Sequence, residues 1–401
     1  MTPTTAVVPL AQIEKKVANM ASHVKREPSI AESAIIKWRL LASGKFYTSI
    51  FIKHRVASDT IAPVCCTVTE SITSRSVYQA AAWPWRRTFA VTFLRMNRKL
   101  NSMSIRRDSK HTTGDAIRHA CRERKLKLRS HGVHCDQWPS ATLHEIETSS
   151  HSQETVLLYF HGGGYRNPLE EIGHMPVVLE CAKALDVGRI FLLEYGLIPE
   201  LRYPGQLVQA ACALNLLLNQ LGRSPDQVVI GGDSAGGNLA LALLAHIKQP
   251  HPLVPHVERV SVDGELKGAL LISPWVSNTT TAASYGENSK KDYLSREAVE
   301  AFVRLWAPKE ELWGDFFQAP TAFWAGLPVK RVLLTVGGFE VFRDDVRALA
   351  TLMEAKSNKD SLVRFVETPA EIHVQPAVDA ALRLPLCKSL LEILLWCRSL
   401  P

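Results

Sequence analysis

Residues 232–236 read Gly232-Asp233-Ser234-Ala235-Gly236. A serine hydroxyl is a poor nucleophile at neutral pH. It becomes a useful one where a base takes its proton and backbone amides hold the negative charge its attack creates. The neighbours of Ser234 suit that chemistry. A β-branched apolar run, VVI, ends in glycines just before the serine, and an Ala/Leu run with helical spacing begins straight after it. A strand that turns at once into a helix strains its corner residue and leaves no room for side chains beside it, which accounts for a glycine two residues away on either side. The corner lifts the hydroxyl out of the backbone. It also aims the positive end of the helix dipole, with the free N–H of Ala235, at the group under attack. The five-residue pattern alone is modest evidence; its strand–turn–helix context gives it weight.

A second stretch points the same way. LLYF, strand-like, runs into His161-Gly162-Gly163-Gly164-Tyr165. Three successive glycines are costly in chain entropy and make sense where backbone must approach a ligand closely and offer N–H groups. Gly163 and Gly164 are therefore expected to hold an oxyanion together with Ala235. His161 is expected to tie the loop down through a side-chain hydrogen bond.

The serine needs a base, and the base an orienting acid, on loops that follow later strands. The chain has 14 histidines, so none stands out by itself. His373, in TPAEIHVQP, follows the strand-like SLVRFVE. RVLLTVGGFEVFRDDV offers Glu340, Asp344 and Asp345 as acids, and Asp344 sits where a following helix would begin and reads as its N-cap. His246, His251 and His256 read as surface residues. His131 and His134 lie near Cys135, but no fourth ligand stands at a spacing that suits a metal.

The elements that must position these residues alternate along the chain. TLHEIET, TVLLYF, RIFLLEY, QVVIGG, GALLISP, RVLLTVGG and SLVRFVET read as strands. Helical spacing is read over residues 206–221, 235–248, 295–307 and 344–356, and over 377–399 with a break at Pro385. Continuous apolar strands alternating with helices predict an α/β fold, a mostly parallel sheet covered on both faces. In such sheets ligands bind beyond the carboxyl ends of the strands, where Ser234 falls. The first ~130 residues read as helical and irregular.

HGGGY, GDSAGG and the intervening EYGLIPELRYP resemble the hormone-sensitive-lipase branch of the α/β hydrolases, over about residues 140–380. GGDSAGGNLALALLAHI and GALLISPWVS are similar to fungal esterase and deacetylase members of that branch. Tyr195, Leu197, Pro199 and Glu200 match its Y-x-L-x-P-E loop. The resemblance implies the α/β-hydrolase fold, a Ser–acid–His triad in that chain order, and a helical cap drawn partly from the N-terminal region. The branch places its acid just after the strand, where Glu340 stands, with Asp344 as the second candidate. The residue before the acid is often Asp and is Phe339 here. Its histidine loop commonly reads Gly-x-x-His; Ala370 replaces the glycine, and Val374 follows His373.

The implied triad is Ser234, Glu340 and His373. The implied activity is hydrolysis of a carboxylic ester through an acyl-enzyme, with no cofactor and no metal. Trp275, Tyr285, Trp306, Trp313, Phe316, Phe317, Phe323 and Trp324 cluster after LLISP. They suggest an apolar cap insertion over about 276–326 in a catalytic domain of 136–401, with ordinary core packing as the alternative. If they line the pocket, the substrate is a bulky hydrophobic small-molecule ester, such as an acetylated fungal secondary metabolite. The same triad would serve an amidase such as an arylformamidase, and the same fold a non-catalytic ligand receptor.

The chain has 401 residues, 46% hydrophobic and 21% charged, an ordinary globular composition that argues against disorder. Residues 1–150 carry 24 Lys and Arg against 11 Asp and Glu; the remainder carries 23 against 28. The basic residues are scattered without a binding motif, so nucleic acid is not an expected partner. Residues 35–55 mix bulky apolar side chains with Lys37, Arg39, Lys45, Lys53 and Arg55. That composition suits a helix on an anionic membrane surface or a cap helix packed on the main domain, within an N-terminal region of 1–135. Eight cysteines show no disulfide ladder and read mostly as small buried hydrophobes, and the first twenty residues carry Glu14, Lys15 and Lys16 where a secretion signal needs an apolar run. An intracellular setting is expected, cytoplasmic or peripheral on a membrane surface.

Overall fold

A computed structural model of the chain describes residues 83–101, 111–150, 155–355 and 362–400. The membrane-surface reading of 35–55 and most of the expected N-terminal cap lie outside the described residues. Two compact units are present. Helix α1 (Trp85–Asn101), up to Asn97 in the first, carries a Thr92 hydroxyl that donates to the Thr88 carbonyl at 2.8 Å, and an Arg87 guanidinium 5.5 Å from the Trp83 ring centre.

The second unit holds the sheet. Its strands are β1 (Leu128–Val133), β2 (Ala141–Glu147), β3 (Val156–Phe160), β4 (Arg189–Glu194), β5 (Val228–Asp233), β6 (Gly268–Ile272), β7 (Arg331–Gly337) and β8 (Leu362–Thr368). They lie in the order β1-β2-β4-β3-β5-β6-β7-β8. β2 runs antiparallel to both of its neighbours; β4 to β8 and β3 form the parallel part. The mostly parallel α/β sheet expected from the strand pattern is thus observed. β1 was not foreseen. It pairs with β2 over six residues, so it and helix α2 (Thr113–Glu123) belong with the sheet rather than with an N-terminal cap ending at 135.

The helices that follow are α3 (Glu171–Ala184), α4 (Gly205–Asn215, continued as a π-helical turn Leu216–Gln220), α5 (Ala235–Lys248), α6 (Glu258–Val262), α7 (Ser284–Glu287), α8 (Arg296–Trp306), α9 (Arg343–Glu354), α10 (Gln375–Leu382) and α11 (Lys388–Ser399). Two cores form because successive strand side chains point to opposite faces. Val156, Leu158 and Phe160 of β3 join one core with α4, α5 and α9. Leu157 and Tyr159 join the other with α2, α3 and α11. Helix α5 is buried from Ala235 to Ile247, which is why its sequence is apolar on every side.

The aromatic cluster corrects one expectation. Trp275, Tyr285, Trp306, Trp313, Phe316, Phe323 and Trp324 are buried members of the first core; only Phe317 is exposed, at 38%. Trp306 stacks on Tyr165 with ring centres 4.5 Å apart and tilts against Trp275 at 5.4 Å. Their area glues the 276–326 insertion to the body, so their number says nothing of substrate size.

Candidate active site

The parallel strands end on one edge of the sheet. Phe160 of β3 pairs with Gly232 of β5, Gly232 with Leu271 of β6, and Gly337 of β7 with Thr368 of β8. The connections after β3, β5, β6, β7 and β8 therefore meet, carrying His161, Ser234, Ser273, Glu340 and His373.

Ser234 sits on the corner between β5 and α5 with φ 53° and ψ −117°. A non-glycine residue at positive φ is strained and persists only where its surroundings hold it. Ser234 N–H donates to the Ile272 carbonyl at 2.9 Å, and its own carbonyl accepts from Trp275 N–H at 3.0 Å. The flanking glycines are obligatory. A Cβ on Gly232 would lie 2.3 Å from the Gly236 backbone, and one on Gly236 would lie 2.0 Å from the Phe160 carbonyl oxygen.

The structure brings the three expected side chains together. Ser234 Oγ lies 2.8 Å from His373 Nε2, and His373 Nδ1 lies 2.9 Å from Glu340 Oε2. Glu340 and His373 are only 1% and 3% exposed. An ionised Glu340 accepts the Nδ1 proton, which leaves Nε2 bare toward the serine. Asp344 is elsewhere. It lies in the first turn of α9 and accepts from Ser284 N–H at 2.8 Å and from Arg343 and Arg347. The N-cap position belongs to Phe342, so Asp344 is not the cap expected of it.

The glycine loop follows β3, the strand paired with the one that ends at the serine corner. Gly163 and Gly164 have φ of +118° and +64°. Among the described residues no acceptor takes the N–H of Gly163, Gly164 or Ala235. His161 holds the loop: its Nε2 is 3.0 Å from Thr113 Oγ1, and its carbonyl accepts from Tyr195 O–H at 2.6 Å. Burial lowers its pKa to about 4, so the ring is neutral there. Asp233 bridges the two motifs, accepting from Gly162 N–H at 3.0 Å and Tyr159 O–H at 2.9 Å while facing His174 at 3.2 Å. The buried Asp233 carboxylate raises the pKa of His174 against the desolvation that opposes it.

Sequence reasoning missed three contributors. Ser273, at φ 46°, donates to Glu340 Oε1 at 2.6 Å and accepts from Val374 N–H at 3.3 Å. Its one signal was its place at the carboxyl end of β6. His174 and Asp292, both beside the site, gave no signal. The trio after α5 also differs from expectation: His246 and His251 are buried, with His246 Nε2 2.9 Å from the Pro255 carbonyl, and only His256 is exposed.

A family model described as the alpha/beta hydrolase fold matches residues 157–376, over half of the chain. The chain belongs to that family. This α/β hydrolase is 30% identical over 225 residues to the acetyl-hydrolase of Streptomyces hygroscopicus, a stretch covering 55% of this chain and 67% of that one. It is 26% identical over 208 residues to versiconal hemiacetal acetate esterase of Aspergillus parasiticus, covering 49% of this chain and 60% of the relative. An esterase of the bacterial hormone-sensitive-lipase family has the same fold, with a TM-score of 0.55 at 21% identity over 77% of this chain and 96% of that one. The likeness to the hormone-sensitive-lipase branch and to hydrolases of the esterase type is thus borne out. Among the described residues no helix is long and apolar enough to cross a membrane.

Proposed function

We propose that this α/β hydrolase cleaves a carboxylic ester by a serine acyl-enzyme mechanism, with Ser234 as nucleophile, His373 as general base and acid, and Glu340 orienting the imidazole. The observation that carries the reading is the unbroken line from Ser234 Oγ through His373 to Glu340, at 2.8 and 2.9 Å. Ser234 Oγ attacks the ester carbonyl carbon while His373 Nε2 takes its proton. Gly163, Gly164 and Ala235 N–H groups hold the oxygen that becomes negative. The tetrahedral intermediate collapses, and His373 returns the proton to the departing alcohol. Water, deprotonated by the same imidazole, then releases the acid. This chemistry calls for no cofactor or metal.

The substrate class we infer is a short acyl ester, an acetate foremost, of a hydrophobic small molecule such as a fungal secondary metabolite. Two relatives with acetyl-ester names support the acyl group. The apolar surroundings support the alcohol: the partly buried Phe302 ring closes over Gly164.

A p-nitrophenyl ester series of rising chain length tests this, with a matched amide beside the acetate. Turnover is expected to peak at short acyl chains, and Ser234→Ala to be slower by about 10³-fold or more. A wild-type chain that turns over no ester and takes no fluorophosphonate label would overturn the assignment.

A further inference from the structure

The acid and the histidine sit on separate loops, after β7 and β8, and something must hold the two in register. The segment 284–293 of the insertion does so. Ser284 O–H donates to the Val341 carbonyl at 2.6 Å. The Asn288 side-chain amide donates to the Gly338 carbonyl at 3.1 Å and the Glu340 carbonyl at 2.7 Å. Asp292 goes further, because it reaches both loops. Its Oδ2 accepts from Val341 N–H, next to the acid, at 3.0 Å. Its Oδ1 accepts from the N–H of His373 itself at 3.3 Å and from its neighbour Tyr293 at 2.8 Å.

Asp292 is fully buried. Backbone N–H groups hold it where a buried carboxylate would ordinarily demand a cationic side chain. Only an ionised carboxylate offers acceptors alone, so it matches three converging donors as no amide or protonated acid can. Burial pushes its pKa up to about 6, which leaves that acceptor-only form in place at the mildly alkaline pH of an esterase assay. Tyr293, the next residue, sets its ring 5.9 Å from the His373 ring.

We propose that Asp292 is a positioning residue for the triad: one buried carboxylate of the insertion sets the spacing between the acid loop and the histidine loop. It touches neither substrate nor reacting atoms, and it acts through Glu340 and His373. The inference rests on the serine-hydrolase reading above.

Wild type, Ser234→Ala, Asp292→Asn and Asn288→Ala are compared on p-nitrophenyl acetate, with melting temperature as the check on folding. Wild-type turnover that disappears in Ser234→Ala supports the serine reading; no wild-type turnover overturns that reading and this inference together. With turnover in hand, Asp292→Asn turns an amide N–H toward one of the three donors. It is expected to lose about 10- to 100-fold in kcat with KM held within about twofold, because the triad shifts while the pocket stays. If Asp292→Asn does not accumulate as folded protein, Asn288→Ala takes its place, loosening the acid loop alone with the same KM-neutral loss of kcat. A folded Asp292→Asn with unchanged kcat, or with only KM raised, overturns the inference and leaves the serine reading standing. Where Asp292→Asn does not fold, an unchanged kcat in folded Asn288→Ala overturns the inference in its place.

Discussion

Ser234 and Ser273 have the same side chain and both sit at positive φ at the end of a strand. One faces the imidazole and the other the carboxylate behind it. Ser273 bonds the Glu340 oxygen that His373 does not use, so the acid is gripped from both sides. Ser273→Ala is expected to lower kcat about tenfold with KM unchanged, the scale of one hydrogen bond to a charged group. Steady-state kinetics on p-nitrophenyl acetate checks it, and equal kcat would show that the second grip is idle. Ser234 and the glycine loop were legible in the sequence because local backbone geometry demands those residue types at those spacings. His373 was found by its place after a strand, and Glu340 was separated from Asp344 only by the branch's pattern. Ser273 and Asp292 were not legible: a serine in LLISP and an aspartate in KKDYL acquire partners only when distant loops converge on them.

Among the elements, the β5–α5 corner is the least forgiving. A methyl group at Gly236 would press against the Phe160 carbonyl oxygen, which belongs to a central strand and cannot move aside. Gly236→Ala is expected to destabilise the protein by about 1–3 kcal/mol or more, read as a lowered melting temperature, and to lower activity with it. An unchanged melting temperature would show that the helix can slide. Elements with a one-sided or continuous apolar pattern were read correctly, as in β3, β5, α8 and α9. β1, LRSHGV, was missed because its burial alternates poorly and its strand form comes from pairing with β2. α3 was missed because, buried between the sheet and α10 and α11 and holding Pro176 inside, it shows no single apolar face. The aromatic run after β6 stayed open between cap and core because bulky rings look alike whether they line a cavity or fill a core.

At the scale of the whole molecule, a half-buried carboxyl facing other acids shapes the response to pH. Asp345 on α9 has its pKa raised to about 7, by burial first and then by Asp344 and Asp315. A carboxyl raised on folding keeps a proton that the unfolded chain releases. Its ionised form therefore destabilises the fold, fully above about pH 7 and progressively less as pH falls toward the unfolded value near 4. Asp345→Asn is expected to raise the melting temperature by about 2–4 °C at alkaline pH, with the gain shrinking as the buffer is made acidic. A gain that stays constant with pH would locate the effect elsewhere.

The histidine loop hangs from β8, an edge strand that among the described residues has β7 on one side and no strand on the other. Every other partner of the serine springs from a strand flanked on both sides. The mobile proton of the reaction is thus entrusted to the rim of the scaffold. A side brace from outside the sheet is what lets a peripheral strand aim its imidazole as steadily as an interior one would.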